Sequence, residues 1–240
     1  MSITLGGDDV HVWSASSPAD HVDAREARNL LTPDDWAMAR RFRNDDDRAR
    51  HVQARAARRR LLAGYVGADP GELSFCEGRN GKPELVAPPG HRTVRFNVTH
   101  SASVILIAVA ERELGVDVER VQTAFAWEQV AQSWFSPAEV ATIRGLSAAR
   151  RRRAFFDCWV RKEAYVKGLG AGLSRSTRDF VVPIGPGSGP VHDPFPPRGA
   201  PSDWRVHPLE VGRGYTAALA VAGEVRITCR PLAQLPREAP

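Results

Sequence analysis

The sequence predicts an α+β protein built of two similar halves, and three observations lead there. Strand-like segments cluster in the middle and at the end of the chain, at residues 94–99, 104–110, 114–119, 215–221 and 225–229. Two long arginine-bearing helical runs, about 46–66 and about 147–167, lie outside them. Finally, SVILIAVAERELGVDVE at 103–119 is echoed by GYTAALAVAGEVRITC at 214–229, each an apolar strand, a short connector and a second strand.

Residues 1–30 are mixed and receive no element. Thr32-Pro33-Asp34-Asp35 has the form of a helix start, with Thr32 as N-cap, Pro33 at the first helical position and acids in the first turn. Asn80-Gly81 signals a turn, with Lys82-Pro83 directly after it. Residues 94–99 alternate, whereas 104–110 is a continuous apolar run suited to a strand buried on both faces. Leu114 to Glu119 alternates strictly, so Leu114, Val116 and Val118 face the core while Asp117 and Glu119 share the other face. Residues 127–135 and 137–145 read as short helices. The long helix follows, with Gly168 as its expected C′ residue. The Pro- and Gly-rich stretch 183–203 is expected to be a loop or flap.

At 240 residues the chain is one large domain or two small ones, and 42% hydrophobic with 25% charged residues suits a globular protein with a sizeable core. Met1 to Val10 lacks a basic region followed by an apolar one, and no stretch approaches the roughly 18 apolar residues of a membrane span. Cys76, Cys158 and Cys229 form neither a metal motif nor a disulfide framework. A cytoplasmic location and no membrane partner are therefore expected. A net charge of +5 suits an anionic partner, or simply a solvated basic surface. Only three of the 33 basic residues are lysines, Lys82, Lys162 and Lys167, so each lysine is a pointer to a place where a compact ammonium serves better than a guanidinium fork.

Two carboxylates at i and i+2 of a strand lie about 6–7 Å apart and repel unless a cation stands between them. Asp117 and Glu119 are thus either candidate Mg²⁺ ligands or two solvated acids. On the long helix, Phe155, Phe156, Trp159, Val160, Glu163, Val166 and Lys167 share one arc, with Glu163 near its middle. Glu163 and Lys167 are either a structural i, i+4 pair or a metal- or proton-binding carboxylate beside a phosphate-binding lysine. The strand ending in Thr99-His100-Ser101 offers a hydroxyl and an imidazole to a phosphate oxygen. No P-loop and no convincing dinucleotide fingerprint occur.

Taken together, Gly115-Val116-Asp117-Val118-Glu119 and Trp159-Val160-Arg161-Lys162-Glu163-Ala164-Tyr165-Val166-Lys167 resemble the signature pair of the 4′-phosphopantetheinyl transferases. Gly81-Lys82-Pro83, the run FNVTHS at 96–101, and Arg40-Arg41-Phe42 with the arginine helix after it agree with that family in order and spacing over about residues 32–175. The length resembles the long, single-chain, surfactin-synthetase-activating branch, which is usually monomeric. The resemblance implies a pseudo-dimer of two α+β halves, here 1–112 and 113–240, with coenzyme A in the cleft between them. It implies transfer of phosphopantetheine from coenzyme A to a serine of an apo acyl or peptidyl carrier protein, releasing 3′,5′-ADP. By position, Asp117, Glu119 and Glu163 would hold Mg²⁺, and Glu163 would be the base. Lys167 would steady the leaving phosphate, while Arg50, Lys82, Thr99 and His100 would hold coenzyme A phosphates. Two departures stand out: Thr99 replaces the usual serine, and Met38 takes a position that is often basic, where Arg40 or Arg41 would compensate. The rival readings are a basic nucleic-acid-binding protein, resting on the clusters Arg55 to Arg60 and Arg150 to Arg153, and a different Mg²⁺-dependent nucleotide enzyme.

Overall fold

A computed structural model describes residues 3–16, 22, 24–172 and 175–235. In chain order the elements are β1 (Asp9–Ala15), α1 (Ala24–Leu30), α2 (Pro33–Ala39), α3 (Asp45–Val66), β2 (Ser74–Glu77), β3 (Pro83–Val86), β4 (Arg95–Ser101), β5 (Val104–Ala110), β6 (Leu114–Arg120), α4 (Trp127–Trp134), α5 (Pro137–Gly145), α6 (Ala148–Leu169), β7 (Gly189–Pro190), β8 (Trp204–Leu209), β9 (Tyr215–Ala222) and β10 (Arg226–Pro231).

Local chemistry starts most of the helices. Thr32 and Asp35 form a reciprocal capping box at α2, and Ser136 and Glu139 do the same at α5, each followed by proline in the first turn. Asn44 caps α3 by accepting from the amides of Asp46 and Asp47, and three aspartates in the first turn suit the positive end of the helix dipole. Gly67, at φ 74°, ends it.

Two four-stranded sheets carry the fold, in the orders β10-β1-β5-β4 and β6-β9-β8-β7, and β2-β3 is a separate hairpin. All pairings are antiparallel except β1 with β10. The alternation of side chains builds three cores. Val10, Val12, Leu106, Ala108, Val116, Val118, Leu219 and Val221 pack the two sheets face to face. Trp13, Ile105, Ile107, Val109 and Phe96, from the opposite face of the first sheet, pack under α1 to α3. Ala218, Ala220, Trp204 and Val206, from the opposite face of the second, pack under α4 to α6. The layers are therefore helices, sheet, sheet, helices, with one 22-residue helix on each outer side. β5 is buried along its whole length, as its unbroken apolar run requires. No helix is long and apolar enough to cross a membrane among the described residues.

The structure adds α1, β2 and β3, where no element was expected, and departs from expectation elsewhere as well. β1 and β8 carried no strand assignment, because their alternation is brief, breaking at Val12-Trp13 in the first and at Pro208 in the second; His11 is buried against the Tyr65 hydroxyl, 2.6 Å from its Nδ1. Residues 183–203 include strand β7, and the bridge between Val181 and His192 ties the stretch to the second half. α6 does not stop at Gly168 but runs to Leu169, and Gly170, at φ 60°, is its left-handed cap. Gly168 is needed for proximity instead: a Cβ there would meet the Trp204 ring at 2.6 Å, and one on Gly115 would lie 2.1 Å from the Ala164 carbonyl and 2.3 Å from the Gly168 nitrogen. Helix and strand touch backbone to backbone at this point.

Candidate active site

Close contact with α6 decides what the polar face of β6 sees. Gly115, Asp117 and Glu119 lie on that face, opposite the apolar row Leu114, Val116 and Val118, which enters the core as its period requires. The polar face is covered by α6 and not open to water: Asp117 is buried and Glu119 half-buried. On α6, the half-buried Trp159, Glu163 and Lys167 form a stripe at intervals of four, while the residues around them are mostly buried. Glu163 therefore lies half-buried among the buried Phe156, Val160 and Val166 of the expected arc, on a line with two other half-buried residues.

β4 supplies the third wall. Asn97, Thr99 and Ser101 share one face of this edge strand and join it to β6, although the two strands belong to different sheets. Asn97 Oδ1 accepts from the Val116 amide at 2.8 Å. The Thr99 hydroxyl donates to Asp117 Oδ1 at 3.1 Å. Ser101 Oγ donates to Glu119 Oε2 at 2.9 Å and accepts from the Arg120 amide at 3.0 Å. Lys167 Nζ completes the cluster, 2.6 Å from Asp117 Oδ1 and 3.2 Å from Thr99 Oγ1. Lys167 thus pairs with Asp117, and no Glu163–Lys167 ion pair forms among the described residues.

Burial raises the Asp117 carboxyl above its ordinary pKa, although Lys167 and Thr99 oppose this. Glu119 is raised by burial and by Asp117, against the Ser101 hydrogen bond and Lys167. Glu163 is raised by burial, then by Asp117, with Lys167 opposing and Glu119 adding to it. Three carboxylates therefore feel one another around a single ammonium. Asp117 Oδ2 is buried and has no hydrogen-bond partner among the described residues. An orphaned buried carboxylate oxygen beside two further acids is a donor set suited to a hard divalent cation. No group of three or more His, Cys, Asp or Glu side chains is arranged as a finished metal site among the described residues. The residue types fit Mg²⁺.

His100 is exposed next to this cluster, and partial burial together with Lys167 and Arg50 lowers its pKa. Arg50, on α3, pairs with Asp47 at 2.5 Å. Lys82 stands elsewhere. Its ammonium donates to Glu113 Oε2 at 3.0 Å and to the carbonyls of Leu114 and Gly168, each at 3.1 Å. The Arg41 guanidinium lies 3.6 Å from the Met38 sulfur, which brings a positive charge to the position that departs from the familiar pattern. The roles of Asn97 and Ser101 escaped the sequence reading; the signal was the polar period of two through 97, 99 and 101. Lys162, the remaining lysine, is buried in an ion pair with Glu139 at 2.8 Å and donates to the Thr177 and Phe180 carbonyls.

The model of the 4′-phosphopantetheinyl transferase superfamily matches residues 113–220, a span that begins just before β6 and includes α6. The chain is 30% identical over 223 residues to the 4′-phosphopantetheinyl transferase HetI of Nostoc sp., covering 92% of this chain and 91% of that protein. It is 32% identical over 171 residues to a putative 4′-phosphopantetheinyl transferase of Synechocystis sp., covering 71% and 68%. It is 23% identical over 205 residues to the 4′-phosphopantetheinyl transferase Sfp of Bacillus subtilis, covering 85% and 88%. With near full-length similarity joined to a seam of acids, hydroxyls and one lysine between two α+β layers, the chain belongs to the 4′-phosphopantetheinyl transferase family and is a transferase enzyme.

Proposed function

We propose that the protein transfers 4′-phosphopantetheine from coenzyme A to a serine hydroxyl of an apo acyl or peptidyl carrier protein and releases 3′,5′-ADP. The observation that carries the reading is the convergence of Asp117, Glu119, Glu163 and Lys167 at the β4–β6–α6 seam, with Asp117 Oδ2 left buried and unpartnered. The carrier serine oxygen forms a bond to the β-phosphorus, and the bond from that phosphorus to the ADP oxygen breaks. Glu163, half-buried and raised in pKa, takes the serine proton directly or through a water. Lys167 opposes the charge that grows on the departing phosphate. The Thr99 hydroxyl and His100 lie beside Lys167 and orient phosphate oxygens, and Arg50 reaches toward the 3′-phosphate. Asp117, Glu119 and Glu163 would hold Mg²⁺, which when bound supplies the positive charge that lets a pyrophosphate enter an acidic site.

Residues 1–112 and 113–240 are the proposed halves of a pseudo-dimer, supported by a four-stranded sheet and a 22-residue helix on each side. β10 returns from the second half to pair with β1. A monomer working in the cytoplasm completes the reading. The rival nucleic-acid surface loses its main support at Arg55 to Arg60. Arg58 and Arg59 are buried, Arg55 and Arg59 pair with Asp35, and Arg60 pairs with Glu26.

The test is mass spectrometry of apo carrier proteins incubated with the enzyme, coenzyme A and Mg²⁺. The expected result is a mass gain of one phosphopantetheine on the carrier serine, lost on adding EDTA. Carriers of fatty acid, polyketide and peptide synthesis that all stay unmodified would overturn the reading.

A further inference from the structure

We infer that Lys82, together with Asn80, is a positioning residue of this enzyme: the turn between β2 and β3 clamps the last turn of α6 and so sets the place of Lys167. The inference rests on the proposed role of Lys167 and gives Lys82 a task other than binding phosphate.

The C-terminal carbonyls of a helix lack intrahelical partners, and a cation or an amide N–H can satisfy them. In α6 this service comes from the other half of the molecule. Lys82 Nζ donates to the Gly168 carbonyl at 3.1 Å, and Asn80 Nδ2 donates to the Gly170 carbonyl at 2.8 Å. Lys82 spends its other two protons on the Leu114 carbonyl and on Glu113, so its three donors are used and it is only 12% exposed. One ammonium therefore fastens the start of β6 to the end of α6. Asn80 can present its amide because it holds φ 52°, a left-handed conformation that asparagine tolerates, and a Cβ on Gly172 would stand 3.2 Å from the Asn80 Cβ. Gly115 and Gly168 remove the side chains that would keep helix and strand apart. Lys167 is the neighbour of Gly168, and its ammonium must meet Asp117 at 2.6 Å and Thr99 at 3.2 Å. A slip of α6 along β6 would shift the base of the Lys167 side chain and lengthen or bend both contacts.

The test combines steady-state transfer to an apo carrier with calorimetry of coenzyme A binding. Lys82→Met keeps the apolar stem and removes the ammonium. Turnover is expected to fall about 10- to 100-fold, the usual effect of a misplacement near 1 Å, while coenzyme A affinity holds within about twofold. In a Lys167→Ala background, Lys82→Met is expected to cause no further loss, since it acts through Lys167. Asn80→Gly keeps the left-handed backbone and removes one donor; it is expected to give the same pattern with a smaller loss, and it serves if Lys82→Met does not fold. A loss of affinity that persists in the Lys167→Ala background would make Lys82 a direct phosphate ligand and overturn the clamp. A lower melting temperature with wild-type turnover would reduce it to a structural brace and overturn it equally. Wild-type turnover in Lys167→Ala alone is a separate failure, that of the proposed role of Lys167 itself.

Discussion

Lys167 Nζ stands 2.6 Å from Asp117 Oδ1 and 3.2 Å from Thr99 Oγ1, so one ammonium, one carboxylate and one hydroxyl share their protons at the site. The hydroxyl is what the site needs from position 99. Thr99→Ser is expected to transfer at nearly the wild-type rate. Thr99→Val keeps the shape, removes a hydrogen bond to charged groups worth about 1.5–3 kcal/mol, and should lower turnover about tenfold or more. Equal rates in the two variants would remove the hydroxyl from the mechanism. Glu163 is a sharper case, because burial and Asp117 raise its pKa while Lys167 holds it down. Glu163→Gln keeps the size and loses the basic oxygen. Turnover should fall by about 10²–10⁴ with little change in melting temperature, since no ion pair is lost at Glu163 among the described residues. A variant that melts lower yet turns over normally would place the base elsewhere.

At the scale of elements, the site depends on how closely α6 can approach β6. A Cβ on Gly115 would lie 2.1 Å from the Ala164 carbonyl, a distance that only movement of the helix relieves. Gly115→Ala is therefore expected to cost about 1–3 kcal/mol or more as overpacking, seen as a lower denaturant midpoint. The same displacement should carry Glu163 and Lys167 away from β6, so transfer should fall in the fraction that remains folded. A Gly115→Ala protein with wild-type stability and rate would show that the contact is slack.

For the whole molecule, charge and pH are the relevant variables. With a net charge of +5, the enzyme should capture a carrier of net negative charge by long-range attraction. Raising salt from low to physiological ionic strength should lower kcat/KM for the carrier while leaving kcat nearly unchanged. A salt-independent kcat/KM would show that steering plays no part. Stability has its own acid limit at Asp35, which joins α2 to α3. Burial alone would raise this carboxyl, but the hydrogen bonds from Arg55 and Arg59 prevail and hold its pKa at about 2. Because the folded pKa is below the unfolded value of about 3.9, the contribution is present above about pH 4 and disappears as pH falls toward 2. Linkage puts it at about 2–3 kcal/mol. Asp35→Asn should lose stability at pH 7, and the gap to wild type should narrow between pH 4 and 2; a gap of constant size would contradict the assignment.

The sequence by itself determined what depends on neighbours along the chain. The helix start at Thr32, the buried run of β5 and the division of β6 into an apolar and an acidic face were legible because each rests on period or on contacts three residues apart. Candidate residues Asp117, Glu119, Glu163, Lys167 and Thr99 were named through the resemblance to the transferase family, since spacing alone left each of them open between a site role and a structural one. Only the tertiary structure decided who faces whom. It paired Lys167 with Asp117 instead of with Glu163, left Glu163 half-buried, and moved the end of that helix from Gly168 to Gly170. It turned Gly168 from a stop signal into a contact surface and engaged Lys82 with Gly168, 86 positions away. These facts arise where two elements distant in sequence approach to within bonding distance, and one-dimensional periodicity carries no information about the depth or register of that approach.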